Sequence, residues 1–194
     1  MLLDTSEISP NARADVIADV ISRLGIDCSV EQERDSPRVH ARLDAHVLGD
    51  TSTFTYAGSG IRMIQTARVG AAGVVAVAVQ GRRAGILRQY GRQSIVLPGA
   101  LLVIDRASPF DYRWHGDGGA MAVNVPVGEL GLPDDALRRA ADRLPTSPLH
   151  DLVRQHIRSV CTDAARLVGE PGAAEVGRAT LVLVRALVAT AAAS

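Results

Sequence analysis

The sequence predicts an α+β fold: short antiparallel strands closed into a barrel or stacked as a sandwich, with one helix before them and a helical pair after them. Three observations predict it. Apolar residues recur at helical spacing up to Gly25, at strand spacing from Ile26 to Val125, and at helical spacing again from Leu149. Glycine turns separate about seven to nine short strands, with no helix between them. A chain of 194 residues, 47% hydrophobic and 22% charged, can also build one sizeable core, burying roughly 70% of its unfolded surface.

Ser9-Pro10 starts the first helix, a hydroxyl before a proline whose missing N–H costs nothing at that position. Val16, Ile17, Val20, Ile21 and Leu24 share one helical face, and Gly25 supplies the stop. Ile26, Cys28 and Val30 then alternate. From Val39 to Val47 the odd positions are apolar, while His40, Arg42, Asp44 and His46 occupy the even ones: a half-buried strand. Thr51 to Tyr56 is β-branched and aromatic, and Gly58-Ser-Gly60 breaks it. Ile61 to Val69 reads as a further strand, and Val74 to Val79 as a central one, apolar on both faces. Ile86-Leu87, Ser94 to Leu97, Leu101 to Asp105, Phe110 to His115 and Ala120 to Val125 complete the series.

After Pro126 the period becomes helical. Asp134-Asp135 open a short helix to Leu144, with acids where the dipole favours them. Ser147-Pro148 starts a longer helix whose stripe runs from Leu149 to Val168 and ends at Gly169; Glu170-Pro171 starts the last. That last helix is apolar nearly all round, so it must be covered on more than one side. The barrel covers one side, and a second subunit is the economical cover for the rest. The expected interface is Leu149, Leu152, Val153, Ile157, Val160, Leu183, Val184 and Leu187. The expected division is a helical segment over 1–25, the β-unit over 26–130 and the helical dimerisation region over 131–194.

Composition removes several function classes. With 21 basic and 21 acidic residues the net charge is zero, which argues against a chain that itself grips nucleic acid or an anionic membrane. Every basic residue is Arg, so lysine-nucleophile chemistry is excluded. Cys28 and Cys161 stand far apart with no CxxC pair, which favours two buried thiols in a reducing compartment. The start, MLLDTSEISP, lacks a secretory pattern, and the apolar tract from Thr180 to Ala193 contains Arg185, shorter than the about 20 residues of a membrane span. A cytoplasmic protein is expected.

Catalytic motifs are missing. The five histidines, His40, His46, His115, His150 and His156, form no HxH pair and no ligand spacing, so neither a metal nor any other cofactor is expected. Gly58-Ser-Gly60 lacks the flanks of a nucleophile motif and reads as a turn. Arg82-Arg83 could contact an anion, although a solvated hairpin tip is the commoner role. Arg62 and Arg68 could point into the barrel and hold a carboxylate. Phe54, Tyr56, Tyr90, Phe110, Tyr112 and Trp114 all fall in the β-region, and the last three alternate onto one face of one strand. An interior face of that kind is either plain core or the wall of a small-molecule pocket. The candidate lining is Phe54, Tyr56, Arg62, Tyr90, Tyr112 and Trp114.

Several stretches carry a family likeness. Arg38-Val-His-Ala-Arg-Leu-Asp-Ala-His-Val-Leu-Gly49, a central strand with a Gly-Arg pair, and Gln89-Tyr-Gly-Arg-Gln-Ser-Ile-Val-Leu-Pro-Gly99 follow one another in order. Leu97-Pro-Gly-Ala-Leu-Leu-Val-Ile-Asp-Arg-Ala-Ser-Pro-Phe110 and the closing Val123-Asn-Val-Pro126 are the densest part. Together they resemble the N-terminal sensor and dimerisation domain of AraC/XylS-type transcription regulators. Two positions depart: Ala100 stands where such domains commonly carry Asp, and Gln65 where they often carry Arg. The resemblance implies a cupin-like barrel of jelly-roll type that binds a small effector, a homodimer through the C-terminal helices, and no enzymatic activity. It further implies that DNA is contacted only through a helix-turn-helix domain, of which this chain shows no pattern. Two alternatives stand beside it: a metal-free carrier or isomerase, which needs His115, Asp105 or Asp111 to converge inside, and a dimerising adaptor without a ligand.

Overall fold

A computed structural model describes residues 2–26, 28–33, 39–66 and 73–193. Its strands are β1 (Leu3–Asp4), β2 (Ser29–Gln32), β3 (Ala41–Leu48), β4 (Thr51–Gly58), β5 (Ile61–Gln65), β6 (Val74–Gln80), β7 (Gly85–Gln89), β8 (Arg92–Val96), β9 (Leu101–Asp105), β10 (Phe110–Trp114) and β11 (Gly118–Pro126). The helices are α1 (Arg13–Arg23), α2 (Val127–Leu130), α3 (Ala136–Ala140), α4 (His150–Leu167) and α5 (Ala173–Ala193). All strand pairs are antiparallel. They form a six-stranded sheet in the order β1-β3-β4-β11-β6-β9 and a five-stranded sheet in the order β2-β5-β10-β7-β8. The α+β architecture is therefore a jelly-roll-like sandwich of the cupin type, and its two sheets do not join into one closed cylinder.

The six-stranded sheet is apolar on both faces, and its alternation assigns each side chain to one of two cores. On β6, Ala76 and Ala78 face the other sheet, whereas Val75, Val77 and Val79 face the C-terminal helices. β9 and β11 divide likewise: Leu102, Ile104 and Ala122 inward, Leu101, Val103, Val123 and Val125 toward the helices. This double burial is why the 74–79 run is continuously apolar. Along β3 the expected alternation holds at Ala41 and Leu43 and then fails. Val47 is 69% exposed and Leu48 is buried, because the far end of the strand packs toward α5 on its other face. Gly177 of α5 comes so near the Leu48 carbonyl that a Cβ there would lie 1.9 Å from its oxygen, so only glycine permits this approach.

The last two helices are where the sequence expectation needs correcting. Val153, Ile157, Val184 and Leu187 have no exposed surface and pack against the chain's own sheet, and Val160 is 6% exposed. Leu149 and Leu183 are half-buried against the same core. Of the eight residues expected at a subunit interface, only Leu152 points outward, at 55% exposure. The physical reason is the valine-rich back of the six-stranded sheet, which itself needs cover and takes the apolar stripes of both helices. α5 is long and apolar enough to cross a membrane by length and composition. Here one side of it packs into the core, with Val182 (60% exposed) on its outer side.

Smaller differences follow from local packing. Pro10–Ala12 is a 3-10 turn, so α1 starts at Arg13, and Ser9 makes no capping bond through its side chain. Gly25 takes the left-handed conformation expected of a helix stop. The predicted strand from Ile61 ends at Gln65, and the remainder, with Arg68, lies outside the described residues, as does Arg38. β1 and α2, too short for periodicity, were not foreseen.

Candidate functional site

The space between the sheets is a cup with an aromatic wall and an alanine floor. β10 turns Phe110, Tyr112 and Trp114 inward, as their alternation predicts, and β4 adds Phe54 and Tyr56; all five are at most 9% exposed. Opposite the three β10 rings, and in the same sheet as Phe54 and Tyr56, stand Ala76 and Ala78 on β6 and Ala120 and Ala122 on β11. Cross-strand register sets Ala122 beside both Ala78 and Phe54, and Ala120 beside Tyr56. Small residues facing large ones leave a gap of about 60 Å³, bordered also by Asn124 and Arg106. For scale, a cavity of about 150 Å³ is needed to admit benzene. The cup is thus mostly filled by its own side chains, and a ligand must displace some of them.

The aromatic rings are arranged edge to face. Trp114 lies 5.4 Å from Tyr56 and 5.6 Å from Tyr112 by ring centroids, with interplanar angles of 70° and 58°. Burial drives the Tyr56 hydroxyl up to about 12, and that of Tyr112 up strongly as well, so both stay neutral. Tyr56 donates to the Ser59 carbonyl at 3.3 Å. Tyr112 donates to Gln80 Oε1, and Gln80 Nε2 donates to the Arg83 carbonyl at 2.7 Å. Among the described residues, two buried donors at the Gly118 end, Trp114 Nε1 and Gln32 Nε2, have no acceptor. They flank Ile61 across β2-β5-β10 in register. An unmet buried donor costs about 1–3 kcal/mol, so this end suits a molecule carrying an acceptor.

Two candidate residues lie elsewhere. Arg62 is on the outer face of the five-stranded sheet. It grips Asp111 with Nε–Oδ1 at 2.9 Å and Nη2–Oδ2 at 2.7 Å, and also meets Glu31. The guanidinium holds the Asp111 carboxyl below its ordinary value of 3.8, and Arg62 rises in turn. On β5 it is Ile61, Met63 and Gln65 that turn inward, so Arg62 cannot line the cup. Tyr90 is also outside it. With Gly91 it forms the two-residue loop of the β7–β8 hairpin, both at positive φ (55° and 74°), the geometry of a type I′ turn. Its hydroxyl donates to Asp105 Oδ2 at 2.8 Å, which pins the strained residue. Beside it the Gln89 amide bonds both the Asp105 N–H (3.0 Å) and carbonyl (2.8 Å), lacing one sheet to the other. Sequence reasoning missed this clamp, although Tyr-Gly between two strands signals such a turn.

Among the described residues no acid–base pair converges inside. Asp105 serves the Tyr90, Ala107 and Ser108 bonds, Asp111 faces outward to Arg62, and His115 contacts Glu33 at 3.0 Å on the surface. Gln65, at a position where the resembling family often has Arg, is buried and bonds the Arg106 carbonyl. Among the described residues no three His, Cys, Asp or Glu side chains gather as metal ligands would. Neither Cys28 nor Cys161 is in a disulfide; burial pushes the Cys161 thiol up to about 12.

The family model of the AraC-binding-like domain matches residues 15–189. The chain belongs to this family. In overall shape it is similar to the AraC-like transcriptional activator CuxR, with a TM-score of 0.75 at 14% identity, over 96% of this chain and 69% of that one. Two looser likenesses are the cupin domain of an XRE family transcriptional regulator from Enterobacter cloacae (TM-score 0.36, 14% identity, 44% of this chain and 95% of that) and ectoine synthase from P. lautus (0.34, 14%, 49% and 55%). No curated protein matches the chain. The family match makes this an AraC-binding-like domain, and the similarity to CuxR shows a shared fold.

Proposed function

We propose that the chain is the effector-sensing and dimerisation part of an AraC-type transcription regulator in the cytoplasm. A small, mainly apolar molecule with one hydrogen-bond acceptor enters the cup and changes how a helix-turn-helix domain outside this chain engages DNA. No catalytic step is part of this reading, since no acid–base pair among the described residues faces the cup. The observation that carries it is the shared six-stranded sheet: the same strands line the cup on one face and seat α4 and α5 on the other. A molecule wedged against Ala76, Ala78 and Ala122 presses directly on the strands whose valines hold the helices. Cores are close-packed, so such pressure is passed on rather than absorbed. A homodimer then uses the outward parts of α4 and α5, where Leu152 and Val182 are exposed and Leu149 and Leu183 half-exposed.

Trp114 is the sole tryptophan of the chain and stands in the cup wall. Its fluorescence is expected to change saturably on titration with benzyl alcohol or 1-hexanol, and to change much less in Ala78→Val, whose added methyls take up the free space. The absence of a saturable change in the native chain, or an equal change in Ala78→Val, overturns effector binding in the cup. The dimer is tested by light scattering: a homodimer in the native chain that Val182→Asp converts to monomer supports it, and a native monomer at micromolar concentration refutes it.

One observation favours a second reading. With only about 60 Å³ free, the cup is nearly full of its own side chains, as in a dimerising adaptor that needs no effector. A stable dimer whose Trp114 signal ignores both alcohols selects that reading.

A further inference from the structure

A second cavity, of about 1000 Å³, opens across one end of the six-stranded sheet. Its walls come from the ends of β3, β4, β6 and β11, the β6–β7 turn with Arg82, the β8–β9 turn, and Arg158 of α4. At this size it sits at the upper end of the range for small-molecule sites, about 300–1,000 Å³. Its charged lining sorts into satisfied and unsatisfied groups. Arg42 bonds Asp4 through Nη2 at 2.9 Å and Nε at 3.3 Å, and Asp4 also accepts from the Ser6 N–H. His40 lies 3.7 Å from Asp117. Asp4 is thus paired, while Asp117 stays largely exposed at the rim. Arg82 and Arg158 remain, and neither has an ion-pair partner among the described residues. Neutral overall, the chain thus concentrates two uncommitted guanidinium groups on one concavity.

Glycines also border the cavity: Gly58, Gly81 and Gly119 allow its strands and turns to pack backbone against backbone, while Gly99 leaves open space on its side. Arginine's planar fork matches the oxygens of phosphate, and both Arg82 and Arg158 border this cavity. We infer that this cleft is an anion-binding site, distinct from the aromatic cup, and that it takes a small phosphate-bearing metabolite of up to nucleotide size through Arg82 and Arg158. The Arg82-Arg83 pair of the sequence is thereby divided: Arg82 borders the cleft, while Arg83 packs beside Gly116 and Gly118.

Titration calorimetry of the whole chain with inorganic pyrophosphate tests the site, with sodium sulfate at matched ionic strength as the competitor that any diffuse positive surface would bind equally. Saturable binding of pyrophosphate, about tenfold weaker in Arg82→Ala and in Arg158→Ala and lost in the double variant, is the expected result. Both side chains are exposed, so the variants keep the fold; unchanged circular-dichroism melts in the absence of ligand verify it. Arg185→Ala, an exposed arginine on α5 away from this lining, must bind like the native chain. No saturable binding at 10 mM pyrophosphate, an isotherm unchanged in the double variant, equal displacement by sulfate, or equal loss in Arg185→Ala overturns the inference. The Trp114 titration with alcohols is independent of all these outcomes, so failure in the cup and failure in the cleft are told apart.

Discussion

Replacing Leu187 by alanine puts the docking of α5 to a quantitative test. Leu187 has no exposed surface and sits in the core shared with Val153, Ile157, Val184 and the sheet valines. Truncation removes the transfer free energy of the lost methyls and leaves a void between a sheet and two helices that cannot easily close around it. Buried leucines in such places lose about 3–4 kcal/mol. For a chain of this length that corresponds to a melting point lower by roughly 8–12 °C. The comparison variant is Val182→Ala on the same helix, 60% exposed, for which a change within about 0.5 kcal/mol is expected in protein diluted to the monomer. Urea unfolding followed by circular dichroism reads both, and an unchanged m-value shows that the folded state is the same. Protein concentration adds a second discrimination. A core contact within one subunit gives Leu187→Ala the same loss at every concentration, whereas a subunit contact makes the loss shrink on dilution, as the dimer dissociates. If Leu187→Ala lies within about 1 kcal/mol of Val182→Ala, or its loss depends on concentration, α5 is not seated as described.

Further outcomes follow from the same structure. Ala78→Val puts two methyl-sized groups into the cup's free space and should raise stability by up to about 1.5 kcal/mol in urea; a loss beyond about 1 kcal/mol, as overpacking gives, means that the gap is not there. Asp111→Asn should cost about 1 kcal/mol at neutral pH, a figure kept small because the Arg62 side chain is 36% exposed. Arg62 lowers the folded-state value of Asp111 below its unfolded one, so the stabilisation is complete above about pH 5 and is lost as acid protonates the carboxylate. The native and variant stability curves should therefore meet on the acid side, and parallel curves down to pH 2 would show that the pair contributes nothing. Cys161, whose thiol is raised to about 12 and donates to the Ala122 carbonyl at 3.4 Å, should react with Ellman's reagent only after unfolding; prompt labelling in native buffer contradicts its placement.

Much of the fold can be read from the chain because burial leaves a period. The alternation of Phe110, Tyr112 and Trp114 names the inner face of β10 outright, and the unbroken run from Val74 to Val79 marks a strand covered on both sides. Arg62 was harder, since its strand mixes apolar residues on both parities: Ile61 and Met63 face in, Ile64 faces out with Arg62, and the pattern does not choose. The helices were read correctly as needing cover, but periodicity states only that a face is buried, never against what. The valine-rich outer face of β6, β9 and β11 was the overlooked signal, since a sheet apolar on two faces calls for helices from its own chain. Tyr90 was legible as a hairpin turn and was missed among the aromatics. The Arg82–Arg158 cleft joins positions 76 residues apart, and no local pattern expresses such a meeting.

The strict odd–even division of β6 makes its reading frame a structural parameter. Slipping the strand by a single position would trade alanines for valines on both sides at once, clogging the chamber between the sheets while hollowing the bed beneath the helices. A lineage could therefore enlarge or shrink the chamber by point changes at 76 and 78 alone. Insertions or deletions inside this strand should be rejected wherever the fold survives.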